Sequence, residues 1–232
     1  MYPTYYYYDI VGLLITLPVF IFALYAQNRV RNTYQKYSNV RSGRGFTGYD
    51  TARSILDGAG LRNVRVEMVE GHLSDHYDPR TNVVRLSRDV YCSPTISAAG
   101  IAAHECGHAI QHAEKYIPIT IRGMIVPVTN LGSSLAIPLL FIGFLMGSTI
   151  LVTIGIIGYA LAALFQMLTL PVEFNASSRA LSIIQDSYIL ENEELKGARN
   201  VLNAAALTYV AALASSVAQL LRLILLSNRR RR

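Results

Sequence analysis

The chain has 232 residues, of which 52% are hydrophobic, and its mean hydropathy is positive. This apolar content is high for a water-soluble domain, and long apolar stretches indicate membrane-spanning helices. The formal net charge of +6 suits contact with anionic lipid headgroups. Nucleic acid is not an expected partner, because no basic patch is interleaved with aromatic residues and no known binding module is visible.

The first apolar stretch, Ile10–Ala26, reaches the length of a membrane span if it is extended into the aromatic run Tyr5–Tyr8. That run is typical of an interfacial aromatic belt. The stretch lacks the basic start and small-residue cleavage site of a secretory signal peptide. Residues 1–9 contain no Lys or Arg, and a basic cluster follows the span, so the positive-inside rule predicts that residues 27–122 are cytoplasmic. The cluster consists of Arg29, Arg31, Lys36, Arg41 and Arg44.

A small α+β unit is predicted after the first span. Thr47–Gly60 has the pattern of a helix, with Thr47 or Asp50 as its N-cap. Val64–Val69 alternates between apolar and polar residues and predicts a strand. After an intervening turn, Val83–Leu86 predicts a second strand.

His76 and Tyr77 lie just before this turn. A His or Tyr side chain close to an oxyanion would stabilise a tetrahedral intermediate. The alternative is that both side chains pack and form hydrogen bonds in the turn, around Asp75 and Asp78. Both interpretations stay open at this point.

The sequence His104-Glu105-Cys106-Gly107-His108 is an H-E-x-x-H motif within an Ala-rich stretch of helical composition. His104 and His108 are separated by about 400° of helical turn and therefore share one face. Two imidazoles in this arrangement can bind one Zn²⁺, and Glu105 can act as a general base toward the attacking water. The alternative is a core helix whose histidines only satisfy hydrogen bonds.

The start of this helix and the role of its cysteine can also be predicted. Ser93 is expected to be the N-cap, and Pro94 to occupy the first helical position. Cys106 projects about 200° away from His104, so a packing role is expected rather than metal binding. Since Cys92 and Cys106 are the two cysteines of the chain, a disulfide framework is not expected, which agrees with a reducing cytoplasm.

A catalytic zinc site commonly has three protein ligands, so a third is needed. His112 lies about 12 Å along the helix axis from His104 and is expected to be structural or to support the ligands. Glu173 is the first charged residue after the uncharged segment 123–172. It either ends a membrane span or completes a His₂Glu set, and the known use of that set favours a ligand.

Three further apolar stretches lie in the second half of the chain. Leu131–Met146 and Thr149–Leu170 are predicted to form a tight pair across Gly147-Ser148, which returns Glu173 to the side of the two histidines. Asn200–Leu226 is rich in small residues that suit helix packing, but Arg222 interrupts it. A full span there would place the basic tail Arg229–Arg232 outside, so its topology is left open.

Four segments together resemble the bacterial YugP-like neutral zinc metallopeptidases, membrane enzymes related to the HtpX and CAAX-prenyl endopeptidase gluzincins. The segments are Asp75–Pro79, Leu86–Ser87, Ala102–Gln111 and Val172–Ser177. The resemblance implies a gluzincin fold, one Zn²⁺ per chain and a polypeptide substrate.

The resemblance also implies roles for individual residues. In the relatives an E-x-x-x-D pattern completes the site. Glu173 matches the Glu, whereas Ser177 stands at the Asp position, so the role of a supporting carboxylate cannot be carried over. The Ser177 hydroxyl is expected to hold the helix geometry instead. Arg179, beyond Ser177, could pair with Glu105, Asp75 or Asp78, and these choices stay open. A zincin edge strand that receives the substrate would correspond to Asn82–Ser87, with an ordinary hairpin strand as the alternative.

The sequence thus predicts an α+β integral membrane protein, mainly helical, with a zincin-like catalytic unit, a small β-sheet and three to four transmembrane or membrane-embedded helices.

The expected function is that of a zinc endopeptidase in the bacterial inner membrane, with its site facing the cytoplasm. Its expected substrates are polypeptides that include membrane proteins. The alternatives are a non-catalytic scaffold with a structural zinc and a hydrolase of non-peptide substrates. Glu105 argues against the scaffold, because a structural site needs no general base. Five segments are predicted. Residues 1–26 form an N-terminal membrane anchor, residues 27–122 a cytoplasmic zincin-like part with the H-E-x-x-H helix, and residues 123–172 a transmembrane hairpin. Residues 173–199 form a cytoplasmic helix with the third zinc ligand, and residues 200–232 a membrane-associated helix and basic tail.

Overall fold

A computed structural model of the protein describes residues 4–229, and it describes side chains from Ile10 to Asn228. The predicted aromatic belt Tyr5–Tyr8 and basic tail Arg229–Arg232 lie outside the residues with described side chains. Within the described range the chain forms seven helices and one three-stranded sheet. In chain order these are α1 (Thr4–Ser38), α2 (Gly48–Gly58), β1 (Arg65–Val69), β2 (His76–Asp78), β3 (Val83–Ser87), α3 (Arg88–Cys92), α4 (Ile96–Ala113), α5 (Ile117–Met146), α6 (Thr149–Asp186) and α7 (Asn192–Arg229).

The chain divides into two compact units. The first, called here the helical unit, consists of Met1–Gln27, Ile121–Leu170 and Thr208–Arg232. The second, called here the α+β unit, consists of Asn28–Thr120 and Pro171–Leu207.

Four helices of the described chain are long and apolar enough to cross a membrane: Ile10–Ser38, Ile117–Met146, Thr149–Asp186 and Asn192–Asn228. Large apolar side chains of the helical unit are exposed, such as Phe141 at 70% and Leu145 at 76%, as expected of helices that face hydrocarbon. The predicted helix pair is present, and Gly147 turns between α5 and α6 with a φ of 73°. Close packing of the pair needs small residues, because a Cβ on Gly158 would lie 2.6 Å from the Gly132 carbonyl oxygen.

In the α+β unit, helix α2 begins with a capping box. The Thr47 hydroxyl accepts a hydrogen bond from the Asp50 backbone, and the Asp50 side chain accepts one from the Thr47 backbone. The two residues predicted as alternative caps therefore act together. The core of the unit is a cluster of buried apolar side chains from α2, the sheet, α4 and the end of α6, including Leu56, Leu86 and Ile184.

The sheet differs from the prediction. Its strand order is β1-β3-β2, with β3 parallel to β1 and antiparallel to β2. Of the two interpretations of Asn82–Ser87, the edge strand that receives substrate is wrong, because β3 is paired on both sides. The antiparallel pairing of β3 with β2 agrees with the alternative of an ordinary hairpin strand. The missed strand β2 has three residues, too short for an alternating pattern to reveal it.

The start of α4 also differs from the prediction. Ser93 has extended backbone angles, φ −94° and ψ 129°, which the following Pro94 favours. The N-cap is Thr95, whose hydroxyl accepts a hydrogen bond from the backbone N–H of Ala98. Pro94 therefore precedes the helix instead of occupying its first position.

Candidate metal centre

Helix α4 places the two histidines of the H-E-x-x-H motif one turn apart on one face. The His104 and His108 rings lie 4.7 Å apart between centroids, at an interplanar angle of 83°. The surrounding helix is buried on most sides, with Glu105, Cys106 and Gly107 all buried. The helix that carries the two imidazoles is therefore anchored in the interior of the α+β unit.

Helix α6 brings Glu173 to these histidines. Its Oε2 lies 3.3 Å from Nε2 of His104 and 3.5 Å from Nε2 of His108. One ligand atom from each of the three residues lies within 4.8 Å of the others, and all three residues belong to the α+β unit. Among the described residues, these three are the one group of at least three His, Cys, Asp or Glu side chains whose donor atoms lie close enough together to hold a metal ion.

The spacing of Glu173 Oε2 from the two histidine nitrogens fits a zinc ion. A tetrahedral ion with bonds of about 2.0–2.1 Å needs donor atoms roughly 3.3–3.4 Å apart. The two distances from Glu173 to the histidines, 3.3 and 3.5 Å, agree with that requirement. Direct charge-assisted hydrogen bonds would be shorter, about 2.7–2.9 Å. The donor set and its spacing thus suit a divalent cation better than a shared proton.

The electrostatics of the centre also favour a cation. Burial by itself lowers the pKa of His108, but the adjacent Glu173 carboxylate and the charge of Glu105 outweigh burial and raise the pKa. The same negative field that favours a proton on the ring favours a metal ion between the ligands.

Each histidine has a polar neighbour at its other ring nitrogen. The Ser177 hydroxyl lies 3.1 Å from Nδ1 of His104, and the Gln111 amide oxygen lies 3.0 Å from Nδ1 of His108. Such contacts orient metal-binding histidines. Ser177 was among the predicted residues, whereas Gln111 was missed. Its spacing of three residues from His108 on a helix could have revealed it.

Glu105 is buried beside the cluster but lies outside the group of three ligand residues. Its Oε2 accepts a hydrogen bond of 2.9 Å from the backbone N–H of Tyr77 in β2. The short edge strand missed by the sequence analysis thus fixes one carboxylate oxygen of the predicted general base.

The side chains of His76 and Tyr77 form hydrogen bonds in and around the turn. Nδ1 of the exposed His76 lies 2.8 Å from the Ser74 carbonyl oxygen, and the Tyr77 hydroxyl donates to Asn82 over 2.9 Å. These contacts agree with the turn-packing alternative. A role for either side chain at an oxyanion stays a prediction without a contact that supports it.

Arg179 does not pair with any of the three carboxylates considered for it. Its Nη1 lies 2.6 Å from Glu114 Oε2, and its Nε donates to Asn175 Oδ1 over 2.7 Å. The reason is the course of α6, which brings Arg179 to the C-terminal end of α4, where Glu114 is the C-cap residue.

The two other residues weighed as ligands lie outside the cluster. His112 is exposed, and its ring contacts that of Tyr77 at 6.0 Å between centroids. The buried thiol of Cys106 lies 3.6 Å from the Ala52 carbonyl oxygen, and burial raises its pKa. A neutral packing role for Cys106 follows from this environment.

Gly107 sets the distance between α4 and α6, the helices that carry the three candidate ligands. A Cβ at this position would lie 2.7 Å from the Ala176 carbonyl oxygen in α6. We expect Gly107→Ala to push α6 away, to destabilise the protein by about 1–3 kcal/mol and to weaken zinc binding. Thermal unfolding and chelator competition measure the two effects.

A matched control for this prediction lies on the same helix. A Cβ on Gly100 would make an ordinary contact of 3.4 Å with the Ala198 Cβ, so Gly100→Ala should be neutral or stabilising by up to about 1 kcal/mol. Equal behaviour of the two variants would show that the approach of α6 to Gly107 is unimportant.

A mostly helical chain with four described helices able to cross a membrane and a largely buried His₂Glu cluster beside a carboxylate has the arrangement expected of a membrane-bound metallohydrolase. Residues 12–228 match the sequence family described as "Putative neutral zinc metallopeptidase", and the chain belongs to this family. It is 49% identical over 213 residues to "Putative membrane protease YugP" of Bacillus subtilis (strain 168), an alignment that covers 91% of this chain and 94% of the relative. The predicted family resemblance is thereby confirmed. No solved structure shows a significant match to the chain.

Proposed function

We propose that the protein is a membrane-bound zinc endopeptidase with a gluzincin-like catalytic unit, in which His104, His108 and Glu173 bind one Zn²⁺ per chain. The observation that carries this proposal is the convergence of the three donors beside the buried carboxylate of Glu105. Membership of a zinc metallopeptidase family and similarity to a membrane protease support it.

The chain supplies ligands and a base for hydrolysis of a peptide bond. A zinc ion at this site would lower the pKa of water to about 7 and polarise the scissile carbonyl. Glu105 takes a proton from the attacking water and passes it to the leaving amine. The Tyr77 N–H holds one oxygen of that carboxylate, and the other oxygen is the proposed proton acceptor. Ser177 and Gln111 hold the rings of His104 and His108.

A zinc-content and proteolysis measurement tests the proposal. The full-length protein, purified in detergent, should contain about one zinc per chain and should cleave an unfolded protein such as casein. A chelator should remove the activity, and added zinc should restore it. Protein that holds no zinc would overturn the proposal. Bound zinc without any hydrolysis would favour the scaffold, and hydrolysis of non-peptide esters or amides alone would favour the other class of hydrolase.

We further propose that the site faces the cytoplasm of a bacterial cell at the inner membrane and acts on membrane proteins or their juxtamembrane segments. The basic residues that follow the first apolar stretch support this orientation. The segment 123–172, uncharged throughout, leads directly to Glu173. Glu173 belongs to the helix Thr149–Asp186, which is long and apolar enough to cross a membrane, and this supports a site close to the bilayer.

Cysteine labelling tests this topology. After Cys92 and Cys106 have been replaced, Arg44→Cys should be protected from a membrane-impermeant thiol reagent in intact cells, whereas Tyr5→Cys should react. Labelling of Arg44→Cys after permeabilisation controls for access. The reverse pattern would place the site outside the cytoplasm. The same assay with Asn228→Cys reports the side of the membrane on which α7 ends.

A further inference from the structure

Gln111 is a completely buried polar residue between the two helices that carry the ligands. Its side chain is 0% exposed, and a buried amide must satisfy its oxygen and its N–H groups. Nε2 donates to the Val172 carbonyl oxygen over 2.8 Å and to Asn175 Oδ1 over 2.9 Å. The amide oxygen lies 3.0 Å from His108 Nδ1.

These contacts fix the direction of the amide. The Val172 carbonyl can only accept hydrogen bonds, so the NH₂ group of Gln111 must point toward it. The amide oxygen is then the atom that faces His108, and it also can only accept. The proton of a neutral His108 ring must therefore sit on Nδ1, and the lone pair of Nε2 faces the Oε2 of Glu173, 3.5 Å away.

The donor side of the same amide reaches the other ligand-bearing helix. Val172 directly precedes Glu173 on α6, and Asn175 follows it by two positions. Asn175 Oδ1 also accepts a hydrogen bond from Arg179, which is paired with Glu114. One side chain thus connects the ring of His108 to the segment that contains Glu173.

We infer that Gln111 is a positioning residue for the metal centre. Its oxygen selects the tautomer of His108 that exposes Nε2, and its NH₂ group fixes the segment of α6 that carries Glu173. The inference rests on the proposed zinc site and assigns to Gln111 a part in metal affinity separate from its part in stability.

Two substitutions separate the acceptor from the donors. Gln111→Met has a similar length and removes both. Gln111→Glu keeps an oxygen that can accept from Nδ1, whether or not the carboxyl is protonated, and removes the NH₂ group. Leu56→Ala, in the buried apolar core of the α+β unit and outside the group of three candidate ligands, controls for a general loss of stability.

The measurements are the zinc dissociation constant, by competition with a chromogenic chelator, and thermal unfolding of the metal-free protein, both on full-length protein in detergent. We expect Gln111→Met to weaken zinc binding about 10- to 100-fold. Gln111→Glu should unfold at a similarly reduced temperature but bind zinc clearly more tightly than Gln111→Met. Leu56→Ala should lose stability and keep the zinc affinity of the wild type.

Three results would overturn the inference: wild-type zinc affinity in Gln111→Met, equal losses in Gln111→Met and Gln111→Glu, or an equal loss in Leu56→Ala. If Gln111→Met does not fold, Gln111→Asn replaces it, because its shorter side chain cannot reach Nδ1, and wild-type zinc affinity in that variant has the same meaning. Absence of zinc binding in the wild type would instead refute the proposed metal site itself.

Discussion

Glu105→Gln is expected to retain zinc and to lose turnover by at least the 10²- to 10⁴-fold contribution of a general base. The amide has nearly the shape of the carboxylate and can still accept the hydrogen bond from the Tyr77 N–H, but it cannot take a proton from water. Zinc should stay bound because Glu105 is not one of the three converging donors. The measurements are kcat on an unfolded protein substrate and zinc content of the same preparation.

The matched control for Glu105→Gln is the same substitution at Glu193, whose side chain is 82% exposed in the first turn of α7. Glu193→Gln should behave as the wild type in both assays. Near-normal proteolysis by Glu105→Gln would eliminate this residue as the base. Loss of its zinc would mean that the carboxylate supports the ligands instead of the reaction.

The part of α4 that carries the two candidate histidine ligands could be predicted because its information is local. His104 and His108 lie four residues apart, and the helical period alone places them on one face. The contact between α6 and α4 could be predicted from the charge of Glu173. A Glu that follows fifty uncharged residues needs a compensating partner if it is buried near a membrane. In the structure Glu173 is 3% exposed and lies beside both histidines.

The features that were missed depend on contacts distant in sequence. Strand β2 has three residues, and its place at the sheet edge depends on pairing with β3, which no local pattern in the chain specifies. The position of β3 in the centre of the sheet likewise depends on its pairing with β1, from which β2 separates it in sequence but not in the sheet. Arg179 could not be matched with Glu114 from sequence, because that pair depends on where α4 ends against α6.

A pair of substitutions tests whether Glu173 or His112 is the third zinc ligand, and a large difference in zinc affinity is expected between them. Glu173→Ala should weaken zinc binding by at least the tenfold scale known for the loss of a supporting residue, whereas His112→Ala should have little effect. Glu173 places one oxygen 3.3 and 3.5 Å from the two ligand nitrogens. His112 is exposed and lies two helical turns beyond His104.

Zinc-dependent thermal stabilisation measures this difference in the intact protein. At free zinc of one hundred times the wild-type dissociation constant, binding stabilises the folded state by about 2.7 kcal/mol, and a tenfold weaker variant retains only about 1.4 kcal/mol. Glu173→Ala should therefore lose about half or more of the zinc-dependent stabilisation, and His112→Ala should keep nearly all of it. The opposite result would remove Glu173 from the site and leave the two histidines of α4 without their third ligand. The gluzincin-like arrangement would then fail with it, since that arrangement depends on a carboxylate delivered from a second helix.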